Sequence, residues 1–97
     1  MITKLIGVRI SQLRHERGET QESLAARIGM ARSYFAEIEI GKRNTSVRNL
    51  LAISNALGVT LKEFFSSDLF DSLYDDENII RPAARSSDAR KPNDPSR

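Results

Sequence analysis

The sequence predicts an all-α fold. A compact bundle of five short helices occupies residues 1–66, a further short amphipathic helix spans 67–75, and a disordered tail runs over 76–97. Three observations carry this reading. Apolar residues recur at three- and four-residue spacing, and no segment gives a strand signal. Glycines or polar stretches close the periodic segments, and Thr20, Ser46 and Thr60 stand where helix N-caps are expected. Beyond Asp75 the chain turns polar and proline-punctuated, too poor in apolar surface to offset the entropy of ordering.

The first helix is expected over Ile2–Arg17, where Ile6, Ile10 and Leu13 fall at i, i+4 and i+7, with Ile2 and Leu5 beside them. Gly18 ends it, with Arg14 and Arg17 in the last turn where cations suit the helix dipole. Glu19 reads as solvent-facing linker. Thr20 caps a second helix, Gln21–Ile28, whose Leu24, Ala25 and Ile28 share a face. Gly29, Met30 and Ala31 separate it from a third, Arg32–Ile40, closed by Gly41. Residues 42–46 form a polar, basic loop. Ser46 then caps Val47–Leu57, with Leu50, Leu51, Ser54 and Leu57 as its stripe and Ile53 at the edge. Gly58 stops this helix. Thr60, with Glu63 three residues on, opens a short helix by a reciprocal cap, and Leu61, Phe64 and Phe65 are its apolar content.

The bulk numbers exclude several classes of function. A chain of 97 residues holds one small domain and a tail. With no cysteine and a single histidine, His15, neither a disulfide nor a Cys/His metal site can form, and no cofactor is expected. Ser23 and Ser54 have no histidine base to spare, so the protein is not read as an enzyme. No apolar run approaches a membrane span, and the charged N-terminus does not suit a signal peptide, so a cytoplasmic location is expected. Charge is segregated. Residues 1–65 carry ten Lys/Arg against six Asp/Glu, residues 66–80 carry five acids and no base, and residues 81–97 are basic again. A moderately basic folded part suits nucleic acid without proving it.

The second and third helices, three residues apart, have the spacing of a helix-turn-helix, in which the second of the pair enters the DNA major groove. Helical period turns Phe35, Ile38 and Glu39 inward and leaves Arg32, Ser33, Ala36 and Glu37 facing out. Short polar and guanidinium side chains at that exposed helix start can read base edges.

Residues 4–65 resemble the Xre-type helix-turn-helix family of phage Cro proteins and repressors. The marks are Ile6, Gly7, Arg9, Ile10, Leu13, Arg14, Arg17 and Gly18, then Thr20-Gln21-Glu22, Leu24-Ala25, Gly29, Arg32-Ser33, Ile38-Glu39, Gly41, Ser46 and Ala56 to Val59. Size and the loop at 41–46 look most like the controller proteins of restriction–modification systems. The resemblance implies a lambda-repressor-like DNA-binding domain and double-stranded DNA as the partner. Carried over residue by residue, it implies that Gln21 meets a phosphate at the start of its helix. Arg32 pairs with guanine, Ser33 stands beside it, and Glu37 accepts from cytosine or orients a neighbouring Arg. Lys42, Arg43, Asn44 and the hydroxyl of Tyr34 contact phosphates. Arg14 and Glu39 are the family's structural ion pair. Two departures stand out: Ala31 replaces the usual Ser or Thr cap of the third helix, and Glu19 replaces a residue that is usually apolar.

Phe64, Phe65, Leu69, Phe70, Leu73 and Tyr74 crowd the end of the domain. They either close the core or form a homodimer interface, and so many large apolar groups exceed what a small bundle can bury. The function expected is a sequence-specific DNA-binding transcriptional regulator, a homodimer on a palindromic operator. The alternative is an antitoxin-like or anti-regulator module that binds a second protein through the C-terminal apolar surface.

Overall fold

Each of the first four helices ends one residue before the bound expected from the sequence, because Arg17, Ile28, Ile40 and Leu57 are C-caps rather than helical positions. The computed structural model describes residues 1–71. It contains α1 (Ile2–Glu16), α2 (Gln21–Arg27), α3 (Arg32–Glu39), α4 (Val47–Ala56) and α5 (Leu61–Phe65), then a 3-10 turn, Asp68–Phe70. Among the described residues there is no strand, and no helix is long and apolar enough to cross a membrane. Leu73, Tyr74 and the tail expected over 76–97 lie outside the described residues. The described part of the helix expected over 67–75 is this single 3-10 turn. Ser67 Oγ accepts from the Leu69 amide at 3.2 Å and turns the chain sharply, which lays Phe70 against the core.

Side-chain caps start three of the helices. Thr20 Oγ1 accepts from Ser23 N at 3.0 Å, and Ser46 Oγ accepts from Asn49 N at 3.0 Å. At α5 the exchange is reciprocal: Glu63 N donates to Thr60 Oγ1 at 3.0 Å and Thr60 N to Glu63 Oε1 at 2.8 Å. Each such cap satisfies amide donors that the first helical turn leaves free and contributes roughly 1 kcal/mol. Ala31 has no side chain to offer α3.

The five helices close on one core. Ile10 from α1, Leu24 from α2, Phe35 and Ile38 from α3, Ile53 from α4 and Phe64 from α5 retain at most 1% exposure. Two assignments made from the period of α4 are therefore corrected. Ile53 lies at the centre rather than the edge, and Leu51 faces out with 44% exposure. Ser54 sits in the core without cost because its hydroxyl donates to Leu50 O, one turn back, at 2.9 Å.

α1 meets α3 backbone to backbone. A Cβ on Gly7 would come within 2.6 Å of Ile38 O and would collide with Glu39 O as well. Gly41, at φ +82°, lies close to Lys4, whose Cα would be 2.9 Å from an added Cβ. Glycine is therefore required where α1 crosses the end of α3 and again just beyond it. Gly7→Ala should destabilise the domain by about 1–3 kcal/mol, since the obstruction is main chain rather than a movable side chain. Urea unfolding would measure it, and an unchanged midpoint would mean that α1 and α3 separate without cost.

Candidate nucleic-acid interface

α3 presents its N-terminal end to solvent because of how α2 and the turn before it are tied down. Leu24 and Ala25 anchor α2 in the core, and Met30 N closes the turn onto Ala25 O at 2.9 Å. Phe35, Ile38 and Glu39 bury one face of α3, which leaves Arg32 and Ser33 exposed and Tyr34, Ala36 and Glu37 half-buried.

The inner end of α3 is fixed by a carboxylate shared among three helices. Arg14 of α1 donates Nε to Glu39 Oε2 at 2.6 Å and Nη2 to Oε1 at 3.1 Å. The side chains keep only 9% and 5% exposure. Gln21 of α2 donates Nε2 to the same Oε1 at 2.9 Å. Arg14 spends Nη1 on the Glu19 carbonyl at 2.8 Å, so carboxylate and guanidinium are both amply satisfied.

Glu19 is not the solvent-facing linker that its neighbours in sequence suggested. Its side chain keeps 12% exposure and accepts two hydrogen bonds from Arg27, at 2.8 and 2.9 Å, and one from Ser23 Oγ at 3.0 Å. These contacts, the Arg27 bond foremost, hold its carboxyl below the ordinary value. Arg27 also donates to Ala56 O at 2.7 Å, and Arg17 to Leu57 O at 3.4 Å. Glu19 thus helps place two cations over the free carbonyls at the end of α4, where positive charge is favoured. A charged side chain here does the joining that an apolar one would do elsewhere.

The outward side of α3 carries an ion pair of its own. Arg43 of the loop donates Nε to Glu37 Oε1 at 2.6 Å, and its guanidinium carbon lies 5.3 Å from the centre of the Tyr34 ring. The hydrogen bond from Arg43, reinforced by its charge and that of Lys42, holds the Glu37 carboxyl below its ordinary value. Lys42, Arg43 and Asn44 are all exposed. The loop is joined to α3 through its backbone too, since Lys42 N donates to Glu37 O at 2.9 Å.

The structure therefore gathers Arg32, Ser33, Tyr34, Glu37, Lys42, Arg43 and Asn44 on α3 and the loop that leaves it. Gln21 stands apart, turned toward Glu39. Among the described residues no group of acids, histidine or cysteine is placed to hold a metal ion. Phe64 was expected at a dimer interface, and that assignment is corrected: it is fully buried, with its carbonyl accepting from Arg9 Nε at 2.7 Å. Phe65 keeps 39% exposure, and Leu69 and Phe70 are half-buried. Arg9 counted in the sequence only as a mark of the family resemblance, without a structural role. It donates to both Phe64 O and Glu63 O, pinning the end of α5 to α1, and an arginine on an amphipathic helix gives no local sign of such a role.

Residues 10–64 match the family model described as helix-turn-helix. Over 61 residues the chain is 49% identical to control protein C.MunI of a Mycoplasma species, covering 62% of this chain and 82% of that one. It is 40% identical over 63 residues to control protein C.BamHI of Bacillus amyloliquefaciens, covering 64% and 78%. The fold is similar to that of the restriction–modification controller C.AhdI of Aeromonas hydrophila, with a TM-score of 0.62, 38% identity, and 65% and 96% of the two chains covered. It is also similar to the controller C.Esp1396I, solved as a tetramer with its natural 35-base-pair operator, with a TM-score of 0.63, 32% identity, and 67% and 86% covered.

Proposed function

Because the chain belongs to the Xre-type helix-turn-helix family, we propose that it is a sequence-specific transcriptional regulator that binds a palindromic DNA operator as a homodimer. The observation that carries this reading is the position of α3. It is clamped from behind by the Arg14–Glu39 pair, and its exposed head carries Arg32 and Ser33. Its likeness to C.Esp1396I, a controller held on its operator, supports DNA as the ligand. In this role Arg32 donates to guanine O6 and N7, and Ser33 meets the neighbouring base edge. Lys42, Asn44 and the Tyr34 hydroxyl contact phosphates, which set the register of the domain. Gln21 has a second amide hydrogen beyond the one given to Glu39, and it reaches a phosphate near the start of α2. Phe65, Leu69 and Phe70 supply the described part of the dimer surface, and two-fold symmetry of the protein matches that of the operator.

Selection from a random duplex library, followed by salt titration on the selected site, tests the reading. A palindromic motif and an affinity that falls steeply with salt are expected. No enriched motif together with a flat salt dependence would defeat it. Within that experiment, Arg32→Ala should cost about 1–3 kcal/mol of discrimination at a single base position. Lys42→Ala should weaken all sequences alike and reduce the salt slope by about one.

A further inference from the structure

We propose that Glu37 and Arg43 act as one base-reading unit selective for a guanine–cytosine pair, with Glu37 as a specificity-determining residue. The inference rests on the proposed DNA-binding function and departs from the sequence reading, in which Arg43 contacts a phosphate.

Three observations carry it. First, helical period places Glu37 one turn beyond Ser33, opposite the buried Phe35 and Ile38 and at the centre of the outward face of α3. Arg43 comes from the loop, but its bond to Glu37 and its place over the Tyr34 ring fold it onto that same face. The exposed side of α3 thus gains a second guanidinium, beside that of Arg32 at its head.

Second, the pair is neutral as a unit. A phosphate attracts a free cation and gains affinity by releasing counterions. A guanidinium already joined to a carboxylate at 2.6 Å brings no net charge to the backbone. To serve as a phosphate anchor it would have to leave Glu37, whose carboxylate would then face the DNA unpaired. Base edges carry dipoles rather than net charge and impose no such conflict.

Third, the groups fit one base pair. The bond uses Nε of Arg43 and one oxygen of Glu37, so it spends neither terminal nitrogen of the guanidinium nor the second carboxylate oxygen. Two donors beside an acceptor complement the major-groove edge of guanine–cytosine, which offers N7 and O6 as acceptors and the cytosine N4 amine as donor. An adenine–thymine pair places its donor between two acceptors and does not match.

The test combines base selection with salt titration for the full chain, Glu37→Gln, and the double variant Arg43→Ala/Glu37→Ala. The wild type should enrich guanine–cytosine at a symmetric pair of operator positions. The double variant should lose that preference by about ten-fold while keeping the wild-type salt slope, since a neutral unit has been removed. Glu37→Gln should lose preference at the same positions and steepen the salt slope by about 0.9, because it frees one cation for the backbone. If the double variant instead keeps every base preference and its slope falls by about one, Arg43 is a phosphate contact and the proposal fails. Wild-type preferences and slope in Glu37→Gln would reduce the pair to a surface contact and also overturn it. Both failures leave the wild-type operator motif intact, whereas the absence of any motif in the wild type overturns the proposed function itself.

Discussion

Glu39→Ala is expected to destabilise the domain by about 3–5 kcal/mol, because it leaves the Arg14 guanidinium buried with its charge uncompensated. Arg14 keeps 8% exposure, so water cannot replace the lost carboxylate without opening the contact between α1 and α3. Gln21 loses its acceptor in the same step. Total stabilities of small domains are of order 5–15 kcal/mol, so the loss is a large share. Arg14→Ala should cost a similar amount by stranding the carboxylate. Arg14→Met/Glu39→Leu, which removes both charges and keeps volume, should recover most of the loss, because desolvation cancels much of the attraction in a buried pair. Urea unfolding of the four proteins at neutral pH separates the cases. Single variants within about 1 kcal/mol of wild type would show that the pair is effectively solvated. The double variant also bears on function. If the ion pair only holds α3 in place, that variant should retain operator binding in proportion to its recovered stability.

The same pair shows what the sequence disclosed and what it withheld. Apolar period and capping residues are local, and they marked the start of every helix, with Thr20, Ser46 and Thr60 each bonding the amide three residues on. Exposure along α3 followed from period as well, since Phe35 and Ile38 fix its orientation. Gly7 was legible only as a resemblance mark. Its physical reason is the approach of Ile38 O and Glu39 O from another helix, and nothing near Gly7 in the chain encodes that. Glu19 misled for the same reason: a charged residue between two helices looks solvated until Arg27, on the next helix, is brought onto it. The Glu37–Arg43 pair belongs to this group too. Its members are six residues apart across a helix end, and only the backward course of the loop makes them neighbours.

Phe64→Ala and Phe65→Ala should separate core from interface, although the two residues are adjacent and chemically identical. Phe64 is fully buried on the inner face of α5, and the rings of Phe65 and Phe70 pack on it at centroid distances of 5.0 and 6.3 Å. Truncating it opens a cavity that a five-residue helix, capped at its start and pinned by Arg9 at its end, has little freedom to fill. A loss of about 3–5 kcal/mol is expected, with Phe65 and Phe70 released from their support. Phe65 already meets solvent over 39% of its surface, so its removal should cost the monomer far less. If it belongs to the homodimer surface, Phe65→Ala should instead weaken association by ten-fold or more, as truncation of a central aromatic anchor does. Sedimentation equilibrium across a range of concentrations reads the association. Urea unfolding at low protein concentration reads the monomer, which matters because dimerisation itself raises apparent stability. Association unchanged by Phe65→Ala would move the interface off α5. Stability unchanged by Phe64→Ala would contradict its place in the core. If the proposed dimer holds two half-sites together, Phe65→Ala should also weaken binding to a full palindrome while leaving the affinity for an isolated half-site intact.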